Sequence, residues 1–225
     1  GRDTRKLTAS GSIEVSGGSL AGTYGVGVDS ARNREGMIRV IPELDLAVAD
    51  ADVVVLATPA SAHATYAALL GPVLRSGQVL MLAPGGSMGA LEVARGLRRQ
   101  RSGDDVTVVE LCSAPYLASS RHPGQLSIEA EPQRVLGAAL SNRVTESVVG
   151  AVRRIFPALE PAGGVLHTSF ANMAGLLVAT PALMSASAPG AATLRERLPA
   201  GLVDSLIGEV DAEGGRTAFA FGVRQ

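Results

Sequence analysis

An α/β fold, built as a doubly wound parallel sheet that leads into an α-helical second domain, is what this sequence predicts. Two observations point to it. Three continuous apolar runs, the first of them β-branched, are separated by helical patterns of about a dozen residues. Beyond residue 164 the apolar residues lose that strand character and recur at helical spacing. Unbroken apolar strands alternating with helices read as βαβ units, which make a parallel sheet covered on both faces and wound right-handedly.

The elements follow in order. "LTASGSIEV" and "AGTYGVGV" are short alternating segments around Gly17-Gly18 and read as a small antiparallel hairpin. "RVIPELDLAVADADVVVLA" supplies a short strand, a brief helix from Pro42 and a buried strand, with Asp50 and Asp52 as solvated turn carboxylates. The first core strand is "ADVVVLATP", Ala51 to Pro59, followed by the helical "ASAHATYAALLGPVL". The second is "GQVLMLAPGG", Gly77 to Gly86, followed by "SMGALEVARGLRRQ". That helix places Ala90, Val93, Ala94 and Leu97 on one face and Glu92, Arg95 and Arg99 on the other. "DVTVVELCS", Asp105 to Ser113, is the third strand. "APYLASSRHPGQLSIEA" is a turn-rich loop and then a strand. A helix spans Ser141 to Phe156, with Ser141 or Asn142 as its N-cap. "VLHTSFANMAGLLVATPALM" reads as a buried helix, and "PAGLVDSLIGEVDAEGGRTAFAFGV" as one or two more. The predicted division is 1–163 for the α/β domain and 164–225 for the start of the helical one.

Composition narrows the function classes. The 225 residues are 46% hydrophobic and 18% charged, enough for a buried core and unlike a disordered chain. A net charge of -1 gives no reason to expect nucleic-acid or anionic-membrane binding. No apolar stretch reaches the roughly 18 residues needed to span a bilayer. The opening "GRDTRKLTASGS" is polar and holds no signal-peptide core, so export is not expected. One cysteine, Cys112, cannot form an internal disulfide, and a reducing cytoplasm is the simplest compartment. Three histidines and one cysteine, all far apart, show no metal-ligand spacing.

"LMLAPGGSMGALEVARGL" runs from an apolar strand through glycines into a helix, the layout with which a Rossmann domain holds a dinucleotide. The spacing of Gly85, Gly86 and Gly89 is G-G-x-x-G, however, not G-x-G-x-x-G. The loop also follows at least the second strand of the sheet, whereas phosphate loops follow the first. It reads as a later βα turn beside the cofactor. "GTYGVGVDS" lacks the third glycine of the fingerprint. A Rossmann-like fold is therefore expected without its first βα unit and glycine loop.

In order along the chain, "GRDTRKLTASGSIEVSG", "PELDLAVADADVVVLATPASAH", "VLMLAPGGSMGALE", "VELCSAPYLASSR", "VLHTSFAN" and "LIGEVDAEGGRTAFAFGV" resemble segments of the NAD(P)-dependent octopine/nopaline (opine) dehydrogenase family. The match extends over nearly the whole chain. The resemblance implies reductive condensation of an α-keto acid with an amino acid, with NADPH, or NADH, as cofactor. It implies small-molecule partners, neither nucleic acid nor membrane, and leaves assembly open, a homodimer included. It places Arg2, Asp3 and Arg5 at the end of the second strand, where an arginine would pair with a ribose 2′-phosphate and an aspartate with a 2′-hydroxyl. Thr58, Pro59 and Ala60, with Pro84 and Gly85, would contact the cofactor at the carboxyl ends of two strands. Glu110, Arg121 and Asn172 would face the substrate cleft, Arg121 binding a carboxylate and Asn172 orienting a carbonyl.

The departures imply a fragment or a degenerate relative. Where the family has His-Pro as the proton donor, this chain has Thr180-Pro181. His122 and His167 are not aligned to that role. The family's glycine loop and much of its second domain are not matched. A ketopantoate-reductase-like or glycerol-3-phosphate-dehydrogenase-like enzyme is a second reading, opposed by the lone lysine, Lys6, at the wrong end. A non-catalytic Rossmann-like binding or assembly protein is a third.

Overall fold

The structure, a computed structural model, describes residues 10–27, 38–100, 105–120, 122–172 and 200–223. It opens with the predicted hairpin, β1 (Ser12–Ser16) and β2 (Gly22–Gly27), antiparallel with Ser12 opposite Gly25. Gly17 and Gly18 turn it at positive φ. Its tip is pinned where Ser19 donates its backbone N–H and its hydroxyl to Glu131, at 2.7 and 2.8 Å. β3 (Ile38–Arg39) and the brief helix α1 (Leu44–Val48) come next, as the sequence predicts.

The three βα strands are β4 (Val53–Leu56), β5 (Val79–Leu82) and β6 (Thr107–Leu111). They run parallel, Val54 pairing with Leu80 and Leu80 with Val108. α2 (His63–Leu70), entered through a tight 3-10 turn at Ala60–Ala62, follows β4, and α3 (Gly89–Arg99) follows β5. α3 buries Ala90, Val93, Ala94 and Leu97, the face its periodicity marks.

Downstream the structure is richer than the sequence suggests. The turn-rich loop contains β7 (Leu117–Ser119), which pairs with β8 (Gln125–Ala130). β8 in turn lies parallel to β1, giving a separate five-stranded sheet in the order β3-β2-β1-β8-β7. β9 (Val135–Ala139) and β10 (Leu159–Pro161) flank α4 (Thr145–Val152) and extend the main sheet to β10-β9-β6-β5-β4. β9 runs antiparallel to β6, so the core is parallel while the sheet as a whole is mixed. α5 (Val165–Phe170) and a single 21-residue helix, α6 (Ala200–Ala220), complete the described chain.

The helix expected over Ser141–Phe156 is shorter, and neither proposed N-cap caps it. Ser141 precedes a 3-10 turn without a side-chain bond to it, and Asn142 Nδ2 donates instead to the carbonyl of Gly163 at 2.7 Å. The chain uses Asn142 to hold the connection into α5, a longer-range demand that overrides local capping.

Strand alternation divides the core between the two faces of the sheet. Leu56, Leu80, Leu82 and Val108 pack with α2, α3 and Val165 of α5. Met81, Val109, Leu111 and Val135 pack with Val149 and Val152 of α4. Both faces are covered, as parallel strands require. Among the described residues no helix is long and apolar enough to cross a membrane.

Candidate functional site

Alternation along β6 places Glu110 on the same face as Val108, among apolar neighbours at the carboxyl end of the strand. Its side chain is fully enclosed, at 0% exposure. One carboxylate oxygen accepts the backbone N–H of Ala90 at 2.8 Å. The other lies 2.7 Å from the Ser169 hydroxyl and 3.2 Å from that of Thr168. α3 has no side-chain cap of its own at Met88, so Glu110 reaches across from the sheet to serve its first turn. A buried carboxylate needs such donors, because an unserved polar group costs about 1–3 kcal/mol.

The glycines of "APGGSMG" take their meaning from these contacts. A Cβ on Gly85 would run into the Glu110 side chain, and one on Gly86 would come within 2.5 Å of Ala60 Cβ. Gly85 is small because a carboxylate side chain lies against it. Gly86 is small because the turn after β5 rests on the turn after β4. This geometry agrees with a later βα turn and explains the G-G-x-x-G spacing without a phosphate.

Gly86, Ser87 and Met88 all adopt left-handed backbone, with φ of 68°, 65° and 62°. For the two non-glycine residues that conformation costs on the order of 1–3 kcal/mol each. Contacts from α5 hold it in place. Ser169 Oγ accepts the Met88 N–H at 2.8 Å, and the Ser87 hydroxyl donates to the Ser169 carbonyl at 3.2 Å.

The neighbouring turn after β4 contains Thr58, Pro59 and Ala60. Pro59 and Ala60 are exposed, whereas Thr58 is half-buried. Its Oγ1 is a buried atom without a hydrogen-bond partner among the described residues. Five residues on, His63 opens α2 with its ring fully buried and neither nitrogen hydrogen-bonded among the described residues. A Cβ on Gly89 would lie 2.9 Å from His63 Nδ1, so the start of α3 packs on this imidazole.

The structure thus brings Thr58, Pro59, Ala60, Pro84 and Gly85 to one edge of the sheet, the carboxyl ends of β4 and β5. Glu110 lies beneath that edge, turned into the interior. Asn172 follows α5, its backbone N–H donating to the Ser169 carbonyl at 3.3 Å. His167 receives the Gly163 N–H on Nδ1 at 3.4 Å and lines a cavity of about 680 Å³ with Leu140, Asn142 and Phe221. Arg2, Asp3, Arg5, Arg121 and Thr180-Pro181 lie outside the described residues. Ser87 carries no mark in the sequence, and Thr168 and Ser169 are legible only as the hydroxyl pair of "VLHTSFAN" ahead of Asn172, without a role.

Comparison with known proteins finds relatives in sequence and in fold. An opine dehydrogenase of Arthrobacter sp. (strain 1C) is 31% identical over 182 residues, which are 80% of this chain and 50% of that relative. The chain therefore spans about half the length of the curated relative it matches. No family model matches it. Among solved structures, octopine dehydrogenase with NADH and L-arginine superposes with a TM-score of 0.62 at 14% identity, covering 84% of this chain and 46% of that one. Yersinopine dehydrogenase in its apo form gives 0.67 at 17%, covering 100% and 56%. A ketopantoate reductase from Ralstonia eutropha JMP134 gives 0.57 at 14%, covering 99% and 66%. The Rossmann-type α/β fold expected from the sequence is the one these proteins share, and the resemblance read from the six motifs is borne out.

Proposed function

We propose, from the premise that this chain is a relative of the opine dehydrogenases in sequence and fold, that it forms the nucleotide-binding side of an NAD(P)H-dependent oxidoreductase. The observation that supports this most directly is the contact between Gly86 and Ala60. It joins the turns after β4 and β5 into one surface at the carboxyl edge of the sheet, where open α/β sheets bind ligands.

The residues present fit a dinucleotide there. The buried Thr58 hydroxyl, unpartnered among the described residues, offers a donor and an acceptor to a ribose or amide group, and Pro59, Ala60 and Pro84 line the turns beside it. When bound, the nicotinamide supplies a hydride. Gly85 contributes by admitting Glu110 beneath the turn, and Glu110 is a positioning residue rather than a catalytic one. Arg2, Asp3 and Arg5 read the adenosine ribose, with an arginine favouring the phosphate of NADPH. Arg121 binds a substrate carboxylate through its planar fork, and Asn172 orients a carbonyl. The reaction class is condensation of an α-keto acid with the amine of an amino acid, followed by reduction. A ketopantoate-reductase-type reaction is the second reading, favoured by the shared fold with the Ralstonia enzyme.

The test is fluorescence titration of the 225-residue chain with NADPH and, separately, NADH. Saturable binding that weakens in Thr58→Val supports the cofactor edge. No binding of either nucleotide overturns the reading for this chain and leaves a Rossmann-like shell without the cofactor.

A further inference from the structure

We infer that Ser169 is a positioning residue that sets the left-handed turn 86–88 from α5, and through it the cofactor edge; this rests on the function proposed above. The Ser169 hydroxyl has one hydrogen and two acceptors in reach, Glu110 Oε1 and the Val165 carbonyl, each at 2.7 Å. The Thr168 hydroxyl has the same two acceptors, at 3.2 Å for Glu110 and 2.9 Å for Val165. A carboxylate is the stronger acceptor, so the Ser169 hydrogen goes to Glu110, the nearer of the two hydroxyls to it, and the Thr168 hydrogen to the closer Val165 carbonyl. The lone pairs of Ser169 Oγ are then free to accept the Met88 N–H.

Ser169 is thus the one described side chain that both donates to Glu110 and accepts from the turn. Glu110 fixes the turn from below by its contact with Gly85 and fixes α3 through Ala90. Ser169 fixes it from the side, by its hydroxyl to Met88 and its carbonyl to Ser87. Two non-glycine residues in left-handed backbone keep that shape only while such bonds hold it. A helix from the C-terminal part of the chain therefore dictates the shape of the β5 turn that lies against Ala60.

The test compares the wild-type chain with Ser169→Ala, Ser169→Thr and Ser87→Ala by residue-resolved amide exchange and by NADPH and NADH titration. In Ser169→Ala the Met88 amide should exchange about tenfold faster relative to Val93 in the helix that follows, as expected for one lost hydrogen bond, and nucleotide binding should weaken several-fold. Ser169→Thr, which keeps the hydroxyl, should restore both. Unchanged exchange at Met88 in Ser169→Ala overturns the inference, as does faster exchange with unaltered binding. If Ser169→Ala does not fold, Ser87→Ala decides by the same two readouts. If the wild-type chain binds neither nucleotide, the proposed function falls, and the exchange comparison alone decides whether Ser169 sets the turn.

Discussion

Gly85 and Glu110 are a steric pair, and each predicts the effect of changing the other. Gly85→Ala places a methyl group where the Glu110 side chain lies, and the fold should lose about 1–3 kcal/mol in urea unfolding, the usual cost of overpacking. Glu110→Gln keeps the shape but replaces one of the two accepting oxygens with an amide nitrogen, so either the Ala90 N–H or the Ser169 hydroxyl loses its acceptor. A loss of about 1–3 kcal/mol is expected, with α3 amides near Ala90 exchanging faster if the lost acceptor is theirs. The family resemblance picks out Glu110 as a polar residue within an apolar strand, and there its legibility stops. Its partners lie 20, 58 and 59 residues away, and no local pattern records which helix will close over a strand. The same limit hid Ser169, whose neighbours in sequence give no hint of Met88.

At the scale of the elements, legibility follows length and regularity. α3 was readable because eleven residues sort their apolar and charged positions onto two faces, and β4, β5 and β6 because each is a run of large apolar residues. Leu97→Ala in α3 removes a side chain only 1% exposed and should cost about 2–5 kcal/mol by chemical denaturation. β9 and β10 were not readable. β9 contains Gly137 and two alanines, and β10 is three residues ending in Pro161. That proline is tolerated because β10 is an edge strand among the described residues. The Arg134–Glu160 ion pair bridges the approach to β9 and β10, but its side chains are 64% and 44% exposed. Glu160→Ala should therefore change stability by less than about 1 kcal/mol, measured by thermal melting at low and high salt.

For the whole molecule, the sheet's order matters as much as its contents. Among the described residues β4 ends the main sheet, paired only with β5, and Val55 on it is 40% exposed. An apolar edge of this kind invites strand addition, so the chain should self-associate as its concentration rises, and Val55→Lys should suppress this in sedimentation velocity runs. The doubly wound core was legible from the repeat of its βα units. The reversal at β9 and the second sheet, which joins residues near 15 to residues near 126, were not. The bonds from Ser169 back to Ser87 and Met88 close loops of 82 and 81 residues, far longer than any inside a βα unit. Closing such loops costs chain entropy that neighbouring strands do not incur, so the parallel strands assemble before the turn over Glu110 is set. In a refolding experiment the far-ultraviolet signal of the sheet should recover before the chain regains affinity for nucleotide, and the interval between the two would time the arrival of α5.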